Sequence, residues 1–235
     1  MVEDRQIEII RGTNRVFLVA PHGFPDDDEN TGTLAREIAG RLGAYALVNE
    51  HYRKPKKKKR DVPDKQRAVL NLNRCDQVER HLREEFLRPL LDFVQEIGCR
   101  HGPALVLWIH GIKDENLEKA VGREHPMDIH VAVGAGQGNP DRWTAREATA
   151  LALLESLGNN KVSPVHGALA LRGSDYCGWH PNIMNQYFLQ HSYTHASVES
   201  IQIEIKYTGF RDKHLQDAAA AFAEAFAPFA LAKAR

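Results

Sequence analysis

Two apolar runs in this chain end in the same dipeptide. Val16 to Ala20 leads into Pro21-His22-Gly23, and Ala104 to Ile109 leads into His110-Gly111. The first is followed at once by Asp26, Asp27, Asp28 and Glu29. Imidazole is the commonest metal ligand, and with a carboxylate it makes a donor set suited to zinc. A catalytic zinc site needs three protein ligands and one open position. His22 and His110 are candidates for two of them, and any of Asp26, Asp27, Asp28 or Glu29 could be the third. Taken singly, a histidine after a strand is an ordinary loop residue, and an acidic run before a helix is a cap. The pair of matched strand ends tips the balance toward a metal.

Other residues could act beside such an ion. Glu204 lies in Ile201-Gln202-Ile203-Glu204-Ile205. With a period of two, Gln202, Glu204 and Lys206 share one face and the isoleucines share the other. A carboxyl so placed is either solvated or a buried proton acceptor for water. Asn71-Leu72-Asn73-Arg74 sets an arginine beside amide side chains, a pattern able to grip a carboxylate in a bidentate contact. Its plain alternative is a surface arginine paired with Asp76. The segment from Gly178 to His195, rich in His, Asn and Tyr, suits a substrate wall or an ordinary polar connection. Gly134-Ala135-Gly136-Gln137-Gly138 lacks the lysine and register of a phosphate loop.

The elements that must position these groups follow from periodicity. Residues 16–20 and 44–48 read as strands, with an amphipathic helix over 31–42 between them. Gly43 stops that helix, and Thr31 with the acidic run suits its start. Strand, helix, strand implies a βαβ unit with parallel strands. Val78, Leu82, Phe86, Leu90 and Val94 predict one long helix over 76–98, with Pro89 as a kink. Further strands are expected at 104–109, 127–133, 167–171 and 200–206. Helices are expected at 143–157 and 213–233, the last broken or bent at Pro228. Alternation throughout predicts one α/β domain over residues 1–235, three αβα layers around a mostly parallel or mixed sheet. In such sheets ligands sit at the carboxyl ends of the strands, where both histidines fall.

Composition narrows the class. The 235 residues carry 31 Lys and Arg against 31 Asp and Glu, a formal net charge of zero. With 43% hydrophobic residues the chain is neither disordered nor fibrous. Charge balance argues against a protein built to coat nucleic acid. The three cysteines, Cys75, Cys99 and Cys177, have no metal-knuckle spacing. Their odd number, with no leader-like start and no long apolar run, predicts a reduced, cytoplasmic protein that does not span a membrane. The basic run at 53–60, RKPKKKKR, reads as a solvated loop.

In this order the motifs resemble the N-formylglutamate amidohydrolase family, related to zinc carboxypeptidases, aspartoacylases and phage poly-γ-glutamate hydrolases. The pieces are Ala20-Pro21-His22-Gly23, the acidic stretch with Thr31, Asn71-Leu72-Asn73-Arg74, Trp108-Ile109-His110-Gly111 and Gln202-Ile203-Glu204-Ile205. The resemblance implies a phosphorylase/hydrolase-like fold, one zinc per chain, and His22 and His110 as ligands. It sets Asp28 slightly ahead of Glu29 as the acidic ligand, with Asp27 third. It implies Asn73 and Arg74 as the grip on a substrate carboxylate and Glu204 as general base and acid. Three positions depart from the pattern. Gly23 directly follows His22, Asn71 stands where an acid is usual, and Gly111 follows His110. The activity implied is hydrolysis of an amide in an N-acyl acidic amino acid or a related small or short-peptide carboxylate. A carboxypeptidase or poly-γ-glutamate hydrolase would use the same site. In another class, a non-catalytic protein would bind a polyanion through residues 53–60.

Overall fold

The computed structural model describes residues 6–24, 27–55, 68–121, 129–136, 140–166 and 176–231. Among them, the strands are β1 (Ile7–Ile10), β2 (Val16–Ala20), β3 (Tyr45–Asn49), β4 (Ala104–Gly111), β5 (Val131–Gly134), β6 (Pro164–His166) and β7 (Val198–Ile205). They form one sheet in the order β1-β3-β2-β4-β7-β5-β6. The four strands β3, β2, β4 and β7 run parallel. β1 and β5 are antiparallel to their neighbours β3 and β7, and β6 runs parallel to β5. The sheet is therefore mixed and mostly parallel, as expected.

Helices cover both faces. Alternation sends Val16, Leu18, Leu105, Leu107, Ile109, Ile201 and Ile203 to one side. There they pack on α1 (Thr31–Leu42), α5 (Glu147–Asn159) and α6 (Leu215–Ala230). Phe17, Val19, Val106 and Trp108 point the other way, onto α2 (Cys75–His81) and α3 (Arg88–His101). The helix α4 (Asp114–Val121) follows β4 and adds Leu117 to a smaller cluster with Ile112 and Ala132. The expected three layers result.

Several elements differ from expectation. The single helix over 76–98 is two helices joined by a π turn at Arg83–Leu87, where Leu87 N–H reaches the Leu82 carbonyl at 3.1 Å. Pro89 follows that turn in the first turn of α3 and has no N–H to give the ladder. Its ring clashes with the carbonyl four residues back, so the wider turn falls upstream of it. Val78, Leu82, Phe86, Leu90 and Val94 are nonetheless all buried. α6 runs on through Pro228 to Ala230, because the bond lost there lies in the last turn. β1 was not expected, and its four residues complete the edge beside β3. The strand expected at 167–171 lies outside the described residues, as do Gln137 and Gly138 of the glycine loop. No helix among the described residues is long and apolar enough to cross a membrane.

A buried carboxylate ties the amino ends of the central strands to α5. Glu199, fully buried near the start of β7, accepts from Arg146 Nη2 at 3.0 Å, Thr149 Oγ1 at 2.7 Å and Arg15 Nη2 at 3.4 Å. Burial alone would raise its pKa, but the Arg146 side chain, Thr149 and the Arg146 backbone N–H hold it below the ordinary value. That stabilisation is present above the unfolded pKa and is lost as pH falls through the folded one. Glu199→Gln is expected to cost about 3 kcal/mol at neutral pH, since it leaves the buried Arg15 guanidinium without its carboxylate. The difference from wild type, read by denaturant melts across pH, is expected to shrink below about pH 4.5.

Candidate metal centre

The site sits where β2, β4 and β7 end. Their shared direction brings residues distant in sequence to one edge of the sheet. His22 lies just past β2, with Pro21 between them. His110 is the penultimate residue of β4, and its register partner on β7 is Glu204. Asp28 swings back onto this edge because its N–H donates to the His22 carbonyl at 3.2 Å, while Thr31 Oγ1 donates to the Asp28 carbonyl at 2.7 Å. His22, Asp28 and His110 are all buried, with one donor atom from each within 4.8 Å of the others.

The donor chemistry fits a cation. Asn71 Oδ1 accepts the backbone N–H of Asn73 at 2.9 Å, which identifies it as the oxygen of the amide. It also lies 2.8 Å from His22 Nε2, so that nitrogen carries the hydrogen. In neutral His22, Nδ1 then holds a lone pair, and it faces Asp28 Oδ2 at 3.1 Å. His110 Nδ1 approaches the same oxygen at 3.5 Å. The buried Nε2 of His110 has no hydrogen-bond partner among the described residues. His22 Nδ1, Asp28 Oδ2 and His110 Nδ1 thus converge on one point, where a single shared proton satisfies only one of their contacts. An outer acceptor that fixes the histidine tautomer is what metal-binding imidazoles use.

Electrostatics agree. Burial pushes the His110 pKa down to about 4, against the opposing pull of Asp28, so its imidazole stays neutral near pH 7. Burial would raise Asp28, but His22, a hydrogen bond from His110 and the Lys54 ammonium hold it well below the usual carboxylate range. Glu204 goes the other way. Burial, reinforced by the charge of Asp28, lifts it to about 8. Gln202 Nε2 donates to Glu204 Oε1 at 2.7 Å and orients the carboxyl.

Two groups that sequence reasoning missed hold the edge together. Buried Arg211 donates Nε to the Ile205 carbonyl and Nη2 to the Ile112 carbonyl, both at 3.0 Å, and Nη1 to the Glu29 carbonyl. It braces the chain beyond β2, β4 and β7 at once. A Cβ on Gly111 would lie 2.5 Å from the Arg211 guanidinium carbon, which accounts for glycine after His110. Likewise a Cβ on Gly23 would lie 2.5 Å from the Asn49 carbonyl oxygen. Lys54 is the second group: its ammonium lies 2.7 Å from Asp28 Oδ1. It was concealed in the basic run, while a lone arginine such as Arg211 leaves no signal in sequence.

The remaining candidates are placed as follows. Asp27 Oδ2 accepts the Lys54 N–H at 2.5 Å, and Asp26 lies outside the described residues. Glu29 stands apart from the cluster, with its Oε1 3.4 Å from the Tyr207 hydroxyl. It directly follows Asp28 in the chain, and the turn into α1 directs it outward. Arg74 pairs through Nε with Asp76 at 3.0 Å, the surface contact also foreseen for it. Asn73 Oδ1 is buried with no partner among the described residues. Of the basic run, only residues 53–55 are described.

The backbone superposes on that of an N-formylglutamate amidohydrolase from Ralstonia eutropha, with a TM-score of 0.63 over 96% of this chain and 97% of the other. This chain has that enzyme's fold. The two sequences are 12% identical, so the likeness is one of architecture. A gene product of Agrobacterium tumefaciens matches with a TM-score of 0.52, 14% identity, and coverage of 97% of this chain and 96% of that one. No family model matches the sequence, and no curated protein does. The resemblance read from the motifs therefore holds for the fold of the N-formylglutamate amidohydrolase.

Zinc titration with elemental analysis is expected to give about one ion per chain, lost in both His22→Ala and His110→Ala. Asn71→Leu is expected to weaken zinc binding by roughly 10- to 100-fold through loss of the tautomer lock. Unchanged affinity would show that Asn71 does not orient His22.

Proposed function

We propose that this protein is a zinc-dependent hydrolase that cleaves an amide bond in a small carboxylate substrate, of which N-acyl acidic amino acids are the first class to test. The observation that carries the reading is the convergence of His22, Asp28 and His110 on one point beside the buried carboxyl of Glu204. Zinc at that point would supply Lewis acidity, polarising a carbonyl and making water nucleophilic near neutral pH.

The chain's own residues have distinct parts. His22 and His110 offer Nδ1, and Asp28 offers Oδ2. Glu204 accepts the proton of the attacking water and passes it to the departing nitrogen. Its raised pKa suits a group that must both take and give a proton. Burial excludes bulk water from the exchange. Arg74 engages Asp76 through Nε, so its two terminal nitrogens suit a bidentate contact with a substrate carboxylate. The buried Asn73 amide would supply a further polar contact.

The test is release of free amine from N-formyl- and N-acetyl-glutamate and -aspartate, and from γ-glutamyl and C-terminal peptides, by zinc-loaded protein. Glu204→Gln is expected to lower kcat by roughly 10²- to 10⁴-fold with zinc content unchanged. Arg74→Ala is expected to act mainly on KM. Turnover that survives both a chelator and Glu204→Gln overturns the reading. Preference among the substrates separates an N-acyl amino acid hydrolase from a carboxypeptidase or γ-glutamyl hydrolase.

A further inference from the structure

The carboxylate at the centre of the site is already divided between two demands. Asp28 Oδ2 faces the Nδ1 atoms of both histidines and accepts the Gly111 N–H at 3.1 Å. Its other oxygen, Oδ1, is taken by the Lys54 ammonium at 2.7 Å. This contact is not the chance reach of a surface lysine, because the backbone that carries it is pinned at successive points. The buried Asn49 side chain donates to the carbonyls of Pro21 and Tyr52, both at 2.7 Å, and so ties the approach to His22 to the chain before Lys54. Arg53 N–H donates to the Ala68 carbonyl at 2.9 Å, and Lys54 N–H to Asp27 Oδ2 at 2.5 Å.

We propose that Lys54 is a built-in counter-cation of the metal centre, which leaves Asp28 one oxygen for an ion and keeps the affinity for a divalent cation low. The inference rests on the zinc reading of His22, Asp28 and His110. Imidazole ligates a metal in its neutral form, so the three residues together offer an ion a charge of −1, and the ammonium brings the set to zero. A positive charge in hydrogen-bond contact with one ligand repels a divalent ion across that ligand, and partial burial leaves the repulsion little screened. The lysine also competes for the electron density of the carboxylate. An ion bound beside it is less neutralised by its ligands and so a stronger Lewis acid. Lys54 is thus a positioning residue: it acts through Asp28.

The test is zinc affinity of the intact protein by competition with a fluorescent chelator, for wild type, Lys54→Met and Lys54→Arg. Lys54→Met is expected to bind zinc at least about 10-fold more tightly, because the repelling charge is gone. Lys54→Arg, which keeps the charge, is expected to stay near wild type. A support role alone predicts the opposite sign, since a loosened Asp28 binds more weakly. Thermal melts give a second readout. The rise in Tm on adding zinc is expected to be larger for Lys54→Met than for wild type at equal free zinc. If Lys54→Met does not fold, Lys54→Gln serves in its place. Zinc binding by wild type with equal or weaker binding by the neutral variant overturns this inference alone. Failure of both proteins to bind zinc overturns it together with the metal reading.

Discussion

Everything at the site depends on three neighbouring strands running the same way. β2, β4 and β7 lie side by side and parallel, so their carboxyl ends open on one edge. That geometry alone sets His22, His110 and Glu204 together, although the sequence separates them widely. Parallel strands need long crossovers, and the helices that make those crossovers build the core on both faces. The hydrophobic layers are in this sense the means by which a few polar groups are held in register. Arg211 completes the arrangement, because it fastens the chain beyond all three strands through their carbonyls.

The two edges of the sheet treat charge differently. At the amino edge, Glu199 is saturated by donors from Arg15, Arg146 and Thr149 and is a closed structural unit. At the carboxyl edge, Asp28 is shared among two imidazoles, an ammonium and a backbone N–H, and Glu204 is held near it in an environment that resists ionisation. The first arrangement answers the carboxylate's charge from within the protein. The second leaves electron-rich atoms facing one another.

Much of this was legible because it rests on local pattern. The apolar runs before His22 and His110 were bounded by turn residues, and α1 had a clean period and a terminal glycine. The isoleucines of β7 alternated with Gln202 and Glu204, which placed the carboxyl on its face. What stayed hidden depends on contacts across the fold. Lys54 looked like one more charge in a solvated run, and only the return of the chain past Asn49 turns it onto Asp28. Glu29 and Asp28 are chemically equivalent neighbours, and the turn into α1 distinguishes them. The break at Leu82 was invisible because the π turn keeps every fourth residue buried. β6 is too short, and β1 too mixed in polarity, for periodicity to announce them.

The pairing of β4 with β7 has a consequence for how this protein can change. His110 stands opposite Glu204 through backbone ladder bonds that do not depend on side-chain identity. Core residues can be exchanged for others of similar bulk while the pair stays opposed. The insertion or loss of a single residue within either strand is another matter. In β7 it would turn Glu204 to the apolar face and place an isoleucine beside the histidine, and in β4 it would turn His110 away from Glu204. Drift in composition is thus tolerated where drift in length is not, so descent in such a chain is recorded more faithfully by spacing than by spelling.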